Sequence, residues 1–190
     1  MKNNMNVNMK KAIKLLTATV AVLGLSACAS TNSRIADLES ELAQYKQTEA
    51  LEAKNIALYD KMDLVAFTQH DMKTIQEIHA DDVEVYNPDG SLTKGMDKHT
   101  HEMQWLFDTF PDIEINEHPI KFGSDNWTAG MSVTTGTFSA PMKLQDGTVI
   151  PPTGKKFSIR IVTLVRWENG RIAEEYLFWD NADWNRQIGL

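Results

Sequence analysis

The chain is poor in cysteine and has no long apolar run, and each shortage narrows what it can be. Cys28 is the only cysteine among the 190 residues, so a disulfide within the chain and a cysteine-based metal site are excluded. The apolar run Leu15–Leu25 has 11 residues, whereas a membrane-spanning helix needs about 20. The sequence also contains no phosphate-binding loop, no dinucleotide fingerprint and no Ser–His–Asp order typical of a hydrolase.

Basic charge is scarce as well. The 19 lysines and arginines face 26 aspartates and glutamates, which gives a formal net charge of −7 at pH 7. Phosphate backbones and anionic lipid surfaces repel such a chain. Nucleic acid is therefore not an expected partner, and a membrane contact needs another cause than charge.

The first 27 residues have the parts of a secretory signal: a basic stretch, a short apolar stretch and small residues before a cleavage point. Leu25-Ser26-Ala27-Cys28 resembles the lipobox of bacterial lipoproteins, in which the cysteine receives a diacylglycerol. Two acyl chains give stable anchoring. Ala29 resembles lipoproteins sent to the outer membrane, so we expect an exported protein held by Cys28 in the cell envelope, facing the periplasm. The alternative is an ordinary signal followed by a chance cysteine.

Residues 28–54 are predicted to form the lipid anchor and a helical spacer, with Ser33 as the N-cap. Four apolar residues follow at the spacing of a coiled-coil seam: Ile35, Leu38, Leu42 and Tyr45. Glu49 and Glu52 interrupt this seam, so the pattern favours a spacer with some capacity for self-association over a full coiled coil. Residues 55–190 are predicted to form one globular domain, because the apolar face changes there.

Within this domain the pattern places helices first and strands afterwards. Two helices are predicted to end near His79 and Phe110, with a strand at Val83–Tyr86 and a turn at Asn87–Gly90 between them. Four later segments alternate or are β-branched: Ile113–Phe122, Asn126–Ala140, Phe157–Trp167 and Arg171–Trp179. This order predicts an α+β fold with helices packed on one face of a curved antiparallel sheet.

Asn169-Gly170 is a strong signal for a two-residue hairpin turn. Counting outward from this turn pairs Ile159 with Asp180 and puts both on an apolar face without a cation, with Glu174 nearer the turn on the same face. A carboxylate on such a face is costly to keep ionised, which is the property of a general acid or base. Asp180 is therefore the candidate catalytic residue, and the alternative is that it caps the C-terminal helix at 181–188.

The histidines and tryptophans carry weaker signals. His99 and His101 point to different sides of a helix, and the five histidines show no zinc-site spacing, so neither a metal nor a cofactor is predicted. His118 precedes Pro119 and is expected to be extended, either lining a pocket or lying on a strand. The tryptophans are more typical of a core, although either Trp105 or Trp127 could wall a cleft.

Several short motifs, in order, resemble the SnoaL-like ester cyclase and polyketide cyclase group of the nuclear transport factor 2-like fold. The resemblance runs from about Asn55 to Leu190 and is carried by His79–Val83, Pro88–Gly90, Phe110–Asp112, Gly136–Phe138, Pro151–Lys155, Gly170–Glu174, Tyr176–Asp180 and Gln187–Gly189. It implies a cone-shaped, curved antiparallel sheet wrapped on N-terminal helices, with a pocket at the open end. The family's cyclases close a polyketide ring by an intramolecular aldol reaction without a cofactor, using an acidic residue that matches Asp180.

The match has departures: Phe138 stands where histidine is frequent, and Tyr176 stands where tryptophan is common. Our leading interpretation is a lipid-anchored pocket protein with cofactor-free acid/base chemistry of the aldol cyclase, lyase or isomerase type on a small hydrophobic carbonyl compound. The alternative is a non-catalytic envelope lipoprotein that binds an apolar ligand or a protein partner. Besides Asp180, the expected pocket residues are Tyr176, Phe178, Trp105, His118, Trp127 and Glu174. An apolar sheet face predicts a homodimer, through Val162, Leu164, Leu177 and Trp179.

Overall fold

The structure is a computed structural model that describes the backbone of residues 2–144 and 146–190 and the side chains of residues 31–144 and 146–190. The predicted signal peptide, residues 1–27, and Cys28 lie outside the residues whose side chains are described, so the lipoprotein signal stays a prediction. Contacts divide the chain into two units, residues 1–48 and 49–190. Among the described residues, no helix is both long enough and apolar enough to cross a membrane.

The first helix is longer than the sequence pattern predicted. Helix α1 spans Lys2–Asp60 and continues directly into a π-helix at Lys61–Phe67. Ser33 lies inside α1 and is not an N-cap, and no break occurs near Asn55. The physical reason is that no glycine or proline occurs between Leu25 and Asn87 to end the helix. The predicted seam residues are exposed: Ile35, Leu38, Leu42 and Tyr45.

The next helices and the first turn agree with the sequence. Helix α2 (Met72–Ile78) is capped by Asp71, whose side chain accepts a hydrogen bond from Thr74 N at 3.2 Å. The turn at Asn87–Gly90 is closed by a 2.9 Å bond from Gly90 N to Asn87 O, and Gly90 has the positive φ of +84° that the turn needs. Helix α3 (Met96–Thr109) ends just before Pro111, as predicted.

Six strands form one sheet in the described part of the chain. In chain order they are β1 (His79–Tyr86), β2 (Leu92–Lys94), β3 (Glu114–Ser124), β4 (Trp127–Thr137), β7 (Lys156–Glu168) and β8 (Arg171–Phe178). Their spatial order is β2-β1-β8-β7-β4-β3, and all neighbours are antiparallel except β1 and β8. Strands β5 (Met142–Lys143) and β6 (Val149–Ile150) form a separate short ribbon, and helix α4 (Asn181–Ile188) closes the chain. The predicted α+β class, with helices first and a mainly antiparallel sheet afterwards, is confirmed.

The core lies between the helices and the inner face of this sheet. Phe110 is fully buried, and its ring centroid lies 5.3 to 5.7 Å from those of Phe138, Phe157 and Trp184. Tyr59 of α1 is also fully buried and packs over Gly130 of β4. A Cβ at Gly130 would lie 2.5 Å from the Tyr59 ring, so a larger residue at this position would displace the ring.

The hairpin between β7 and β8 begins as predicted and then departs from the prediction. Glu168 pairs with Arg171, as expected for the Asn169-Gly170 turn, but Arg166 pairs with Glu174, so Ala173 is an extra residue in β8. A β-bulge of this kind shifts the register by one residue. The predicted pairing of Ile159 with Asp180 is wrong, because β8 ends at Phe178, which pairs with Val162.

The bulge at Ala173 exchanges the two faces of the rest of β8, because successive side chains of a strand point to opposite sides. Glu175 is buried and pairs with the buried Val165. Leu177 follows Glu175 on the inner face of the sheet. Glu174 and Phe178 belong to the outer face instead. The carboxylate on the apolar face is therefore Glu175.

Candidate functional site

A cavity of about 120 Å³ lies between the inner face of the sheet and the helices packed on it. Most of its wall is apolar and includes Met62, Phe67, Met103, Phe157, Leu177 and Trp184. Six polar side chains also line the cavity: Asp63, His99, Glu175, Ser132, Thr134 and Thr163. A few polar groups in an apolar, concave wall are typical of a small-molecule site.

Asp63 reaches the cavity from the π-helix that follows α1. Only 6% of its side chain is exposed. A π-helix changes the direction of successive side chains relative to an α-helix and is frequent at functional sites. Here it turns an acidic side chain inward between the core residues Met62 and Ala66.

His118 connects Asp63 with the surface. Its Nε2 lies 2.9 Å from Asp63 Oδ2, its Nδ1 lies 2.8 Å from Asp60 Oδ1, and Asp60 also pairs with Lys121. The side chain of His118 is 1% exposed and that of Asp60 is 30% exposed. His118 lies in an irregular part of β3, where the pairs Glu117–Val133 and Ile120–Met131 enclose one extra residue on β3. The bulge points this side chain at the helix.

The protonation of this series follows from its geometry. Both nitrogens of His118 face carboxylate oxygens, and both can donate only when the imidazole is charged. Burial lowers the pKa of His118, but the hydrogen bonds to Asp63 and Asp60 outweigh it and raise the pKa above the usual value. For Asp63, burial raises the pKa even though the bond to His118 opposes this change. Asp60–His118–Asp63 can therefore carry a proton between solvent and the cavity.

A second polar group faces the cavity from the other side. His79 of β1, His99 of α3 and Glu175 of β8 are all buried. Glu175 Oε2 lies 3.9 Å from Nε2 of each histidine. Burial raises the pKa of Glu175 to about 7 and lowers that of His79 to about 3. His79 Nδ1 donates to Ile75 O at 2.7 Å, since a backbone carbonyl can only accept, and this bond leaves Nε2 of the neutral ring as an acceptor.

Asp180 does not reach this cavity. It is exposed and is the N-cap of α4, where its side chain accepts a 3.0 Å hydrogen bond from Asp183 N. Asp180 also borders a separate polar depression of about 290 Å³ with Ser158 and Arg160. The register argument for Asp180 therefore fails, and the catalytic role of Asp180 stays a prediction without that support.

The other predicted pocket residues are spread over the domain. Glu174 and Tyr176 bond to each other, through Tyr176 Oη and Glu174 Oε2 at 3.0 Å, on the outer face of the sheet. Trp127 and Phe178 are 37% and 52% exposed. Trp105 donates from Nε1 to Lys143 O at 2.6 Å. None of the predicted residues lines this cavity, although His118 bonds to Asp63 of its wall and the backbone carbonyl of Asp180 accepts a 3.0 Å bond from Trp184 N.

Sequence reasoning missed Asp63, His99 and Glu175. The hairpin count from Asn169-Gly170 places Glu175 on the face opposite Glu174 and Asp180, because nothing in the sequence marks the bulge at Ala173. A signal for Asp63 was present, since it lies beside Met62 and Val65 in the segment whose apolar positions mark a helix of the domain. A lone acid in such a segment is a candidate for a buried, paired carboxylate.

The chain belongs to the SnoaL-like polyketide cyclase family, whose model matches residues 57–188. This confirms the family resemblance read from the short motifs. A search of curated proteins found none that matches.

Solved structures show the same fold at low sequence identity. A proposed SnoaL-like polyketide cyclase from Jannaschia sp. CCS1 has a TM-score of 0.64 at 17% identity, covering 73% of this chain and 93% of that one. IdmH, a proposed polyketide cyclase from Streptomyces antibioticus, has a TM-score of 0.58 at 23% identity, covering 73% and 98%. AclR, a proposed hydroxylase from Streptomyces galilaeus, has a TM-score of 0.61 at 20% identity, covering 73% and 86%. Proteins assigned to different reactions share this fold, so the fold does not decide the reaction.

Proposed function

We propose that the cavity binds a small apolar carbonyl compound and that Asp63 exchanges a proton with it, while His118 and Asp60 connect Asp63 with solvent. The observation that carries the proposal is the hydrogen-bonded series Asp60–His118–Asp63, which runs from a carboxylate that is 30% exposed to the wall of an apolar cavity. A carboxylate whose pKa is raised by burial is a stronger base than one in water. The position of Asp63 suits it to remove a proton from a carbon next to a carbonyl group.

The size of the cavity limits the part of the ligand that it encloses. Its volume is about 120 Å³, and an apolar cavity of about 150 Å³ accepts benzene. The smaller cavity here encloses at most about one ring or a short branched chain, and the rest of a larger ligand would have to extend out of it. The proposed ligand is therefore a small carbonyl compound or the reacting end of a larger one.

The proposed step is a proton transfer. The C–H bond next to the carbonyl breaks, its electron pair moves to the carbonyl oxygen, and the proton goes to Asp63. In this proposal the hydroxyl of Thr163 on the cavity wall donates to the developing enolate oxygen, because the hydroxyl of Ser132 already donates to Ile161 O at 3.4 Å. If the proton returns to another carbon, the reaction is an isomerisation. If the enolate attacks a second carbonyl in the same molecule, the reaction is an aldol cyclisation.

Deuterium exchange tests this step before the natural substrate is known. Phenylacetone, a ketone with one ring, is incubated with the protein in D₂O, and deuterium next to the carbonyl is followed by NMR. We expect the wild type to accelerate the exchange and Asp63→Asn to slow it by about 10²-fold or more, the scale of general acid–base catalysis.

Asp180→Asn is the matched control, because asparagine is nearly isosteric with aspartate and also caps helices well. We expect its exchange rate to equal that of the wild type. If Asp180→Asn loses the exchange and Asp63→Asn keeps it, the reacting carboxylate is Asp180 and our assignment is wrong. If the wild type binds the ketone but neither it nor a variant accelerates the exchange, the cavity only binds its ligand. That outcome would favour the second candidate function.

The second candidate, a non-catalytic ligand-binding protein, is favoured by the aromatic wall of the cavity. Trp179 and Trp184 both line it, with ring centroids 5.9 Å apart in an edge-to-face arrangement. Indole rings supply a large apolar contact area for a ring-shaped ligand. Such a wall can bind a ligand without any reaction taking place.

We propose further that Cys28 anchors the protein to the bacterial envelope by lipid, as the lipobox resemblance implies. Cells grown on labelled palmitate should label the wild type and leave Cys28→Ser unlabelled, and the variant should leave the membrane fraction. Lipid chains supply the membrane affinity in this proposal, so their loss removes it. A Cys28→Ser protein that stays in the membrane fraction would place the anchor elsewhere in the chain.

We also propose a homodimer through the outer sheet face. The residues in the contact differ from those predicted from the sequence. The bulge turns Leu177 and Trp179 inward, where both line the cavity. Val162 and Phe178 lie on the outer face and are 38% and 52% exposed. An apolar centre on an exposed sheet face suits contact with a second copy. A monomer mass in light scattering would contradict this proposal.

A further inference from the structure

The three buried side chains His79, His99 and Glu175 come from three different elements and meet at one point. Their ligand atoms all lie within 4.8 Å of one another. The exposed fractions of the side chains are 0% for His79 and 6% for the other two. Two imidazoles and one carboxylate with no solvent around them are unusual in a core unless they share a ligand or a proton.

The hydrogen bonding of His79 fixes the orientation of its ring. Among the described residues, His79 Nε2 has no hydrogen-bond partner although it is fully buried. The opposite nitrogen, His79 Nδ1, is held by Ile75 O at 2.7 Å, which directs the Nε2 lone pair towards Glu175. A metal-binding histidine is typically fixed in this way by a backbone carbonyl on its second nitrogen.

We propose that His79 Nε2, His99 Nε2 and Glu175 Oε2 bind one divalent transition-metal ion of the zinc type. A set of two nitrogens and one oxygen suits zinc and its neighbours, whereas magnesium and calcium prefer oxygen ligands alone. Zinc bonds of about 2.0–2.1 Å imply ligand-to-ligand distances of roughly 3.4 Å in a tetrahedral site. The two 3.9 Å distances to Glu175 and a histidine-to-histidine distance of at most 4.8 Å are longer than this, so the three side chains must move towards one another to bind the ion.

Three protein ligands leave at least one coordination position open. His99 and Glu175 line the cavity, so the open position faces the proposed ligand. The site is distinct from the Asp60–His118–Asp63 series, and its metal binding can be measured without any organic ligand. No metal site is predicted from the sequence, because His79 and His99 lie on different elements and their spacing matches no zinc pattern.

Metal binding is tested with untagged protein in the Cys28→Ser background, which removes the only thiol of the chain. The protein is treated with a chelator, incubated with Zn²⁺, desalted and analysed for bound metal. We expect one equivalent of zinc, a rise of the melting temperature with added Zn²⁺, and visible absorption bands when Co²⁺ is used instead. Glu175→Gln and His99→Gln should each weaken zinc binding by about 100-fold or more, since removal of a ligand costs at least as much as loss of an outer-shell partner.

Two variants serve as matched controls. His101→Gln changes an exposed histidine on the same helix as His99, and Glu174→Gln changes the neighbouring acid on the outer side of β8. Both should bind zinc like the parent protein. Near-UV circular dichroism of the metal-free proteins confirms that each variant is folded, and His99→Gln carries the test alone if Glu175→Gln does not fold. Absence of bound zinc in the parent protein, or equal zinc binding by the ligand variants and the controls, would overturn the proposal.

Discussion

Replacement of His118 with leucine is expected to lower the free energy of unfolding by about 3–5 kcal/mol near pH 6, the cost of breaking a buried ion pair by removing one partner. The side chain of His118 is 1% exposed, and Nε2 and Nδ1 lie 2.9 and 2.8 Å from Asp63 and Asp60. Leucine would leave Asp63 as a buried carboxylate without its cation. Urea unfolding of both proteins measures the difference.

The pH dependence of this difference has a definite sign. The pKa of His118 is raised in the folded state, so its stabilising contribution is complete below the unfolded value of about 6.5 and is lost as the pH rises through the folded value. The pKa of Asp60 is lowered because its hydrogen bonds to Lys121 and His118 outweigh burial, so its contribution is lost as the pH falls through that value. The pKa of Asp63 is raised in the folded state, so its contribution to the free energy of unfolding falls as the pH rises.

The difference between wild type and His118→Leu should therefore be largest from about pH 5 to 6.5 and should decline on both sides. Tyr59 stacks on His118 at 4.6 Å and keeps its proton throughout, because burial raises its pKa. His101→Leu, an exposed change on α3, is the control and should show no such dependence. A constant difference over this pH range would mean that His118 stabilises the domain by packing alone.

The order of the elements could be predicted from the sequence because local signals carry it. Asn87–Gly90 and Asn169-Gly170 form the turns that their residue types favour, and α3 ends ahead of Pro111. These features depend on one residue and its neighbours, so one sequence is enough to find them. The length of α1 was underestimated because the amphipathic stripe changes face while the helix itself continues.

The site could not be predicted in the same way, because it depends on contacts between distant residues. His118 meets Asp63 across 55 positions, and His79 and His99 meet Glu175 of β8 only after the sheet has formed. The sequence pattern correctly predicts a strand at β8, but it predicts the wrong alternate residues on the inner face of the sheet. A single bulge at Ala173 decides between Glu175 and the residues beside it, and alanine carries no signal of a bulge.

The position of Ala173 leads to the prediction with the largest effect on the fold. Insertion of one alanine after Ala173, with the one-residue bulge kept, moves each later residue of β8 by one position along β7. In that register Glu175 and Leu177 would face outward, and Glu174 and Tyr176 would face the core. Leu177 and Trp179 would leave the cavity wall, and the pairing of Glu174 with Arg166, 2.9 Å between Oε1 and Nε, would be lost.

We expect the insertion to lower the free energy of unfolding by at least about 4–5 kcal/mol, which is most of the stability of an ordinary domain. Ala173→Ser keeps the length of the chain and should stay within about 1 kcal/mol of the wild type, since Ala173 is only partly buried. Urea unfolding followed by tryptophan fluorescence measures both proteins. An insertion variant that unfolds cooperatively with nearly wild-type stability would show that β8 can take either register. In that case the bulge at Ala173 would not determine which carboxylate of β8 faces the cavity.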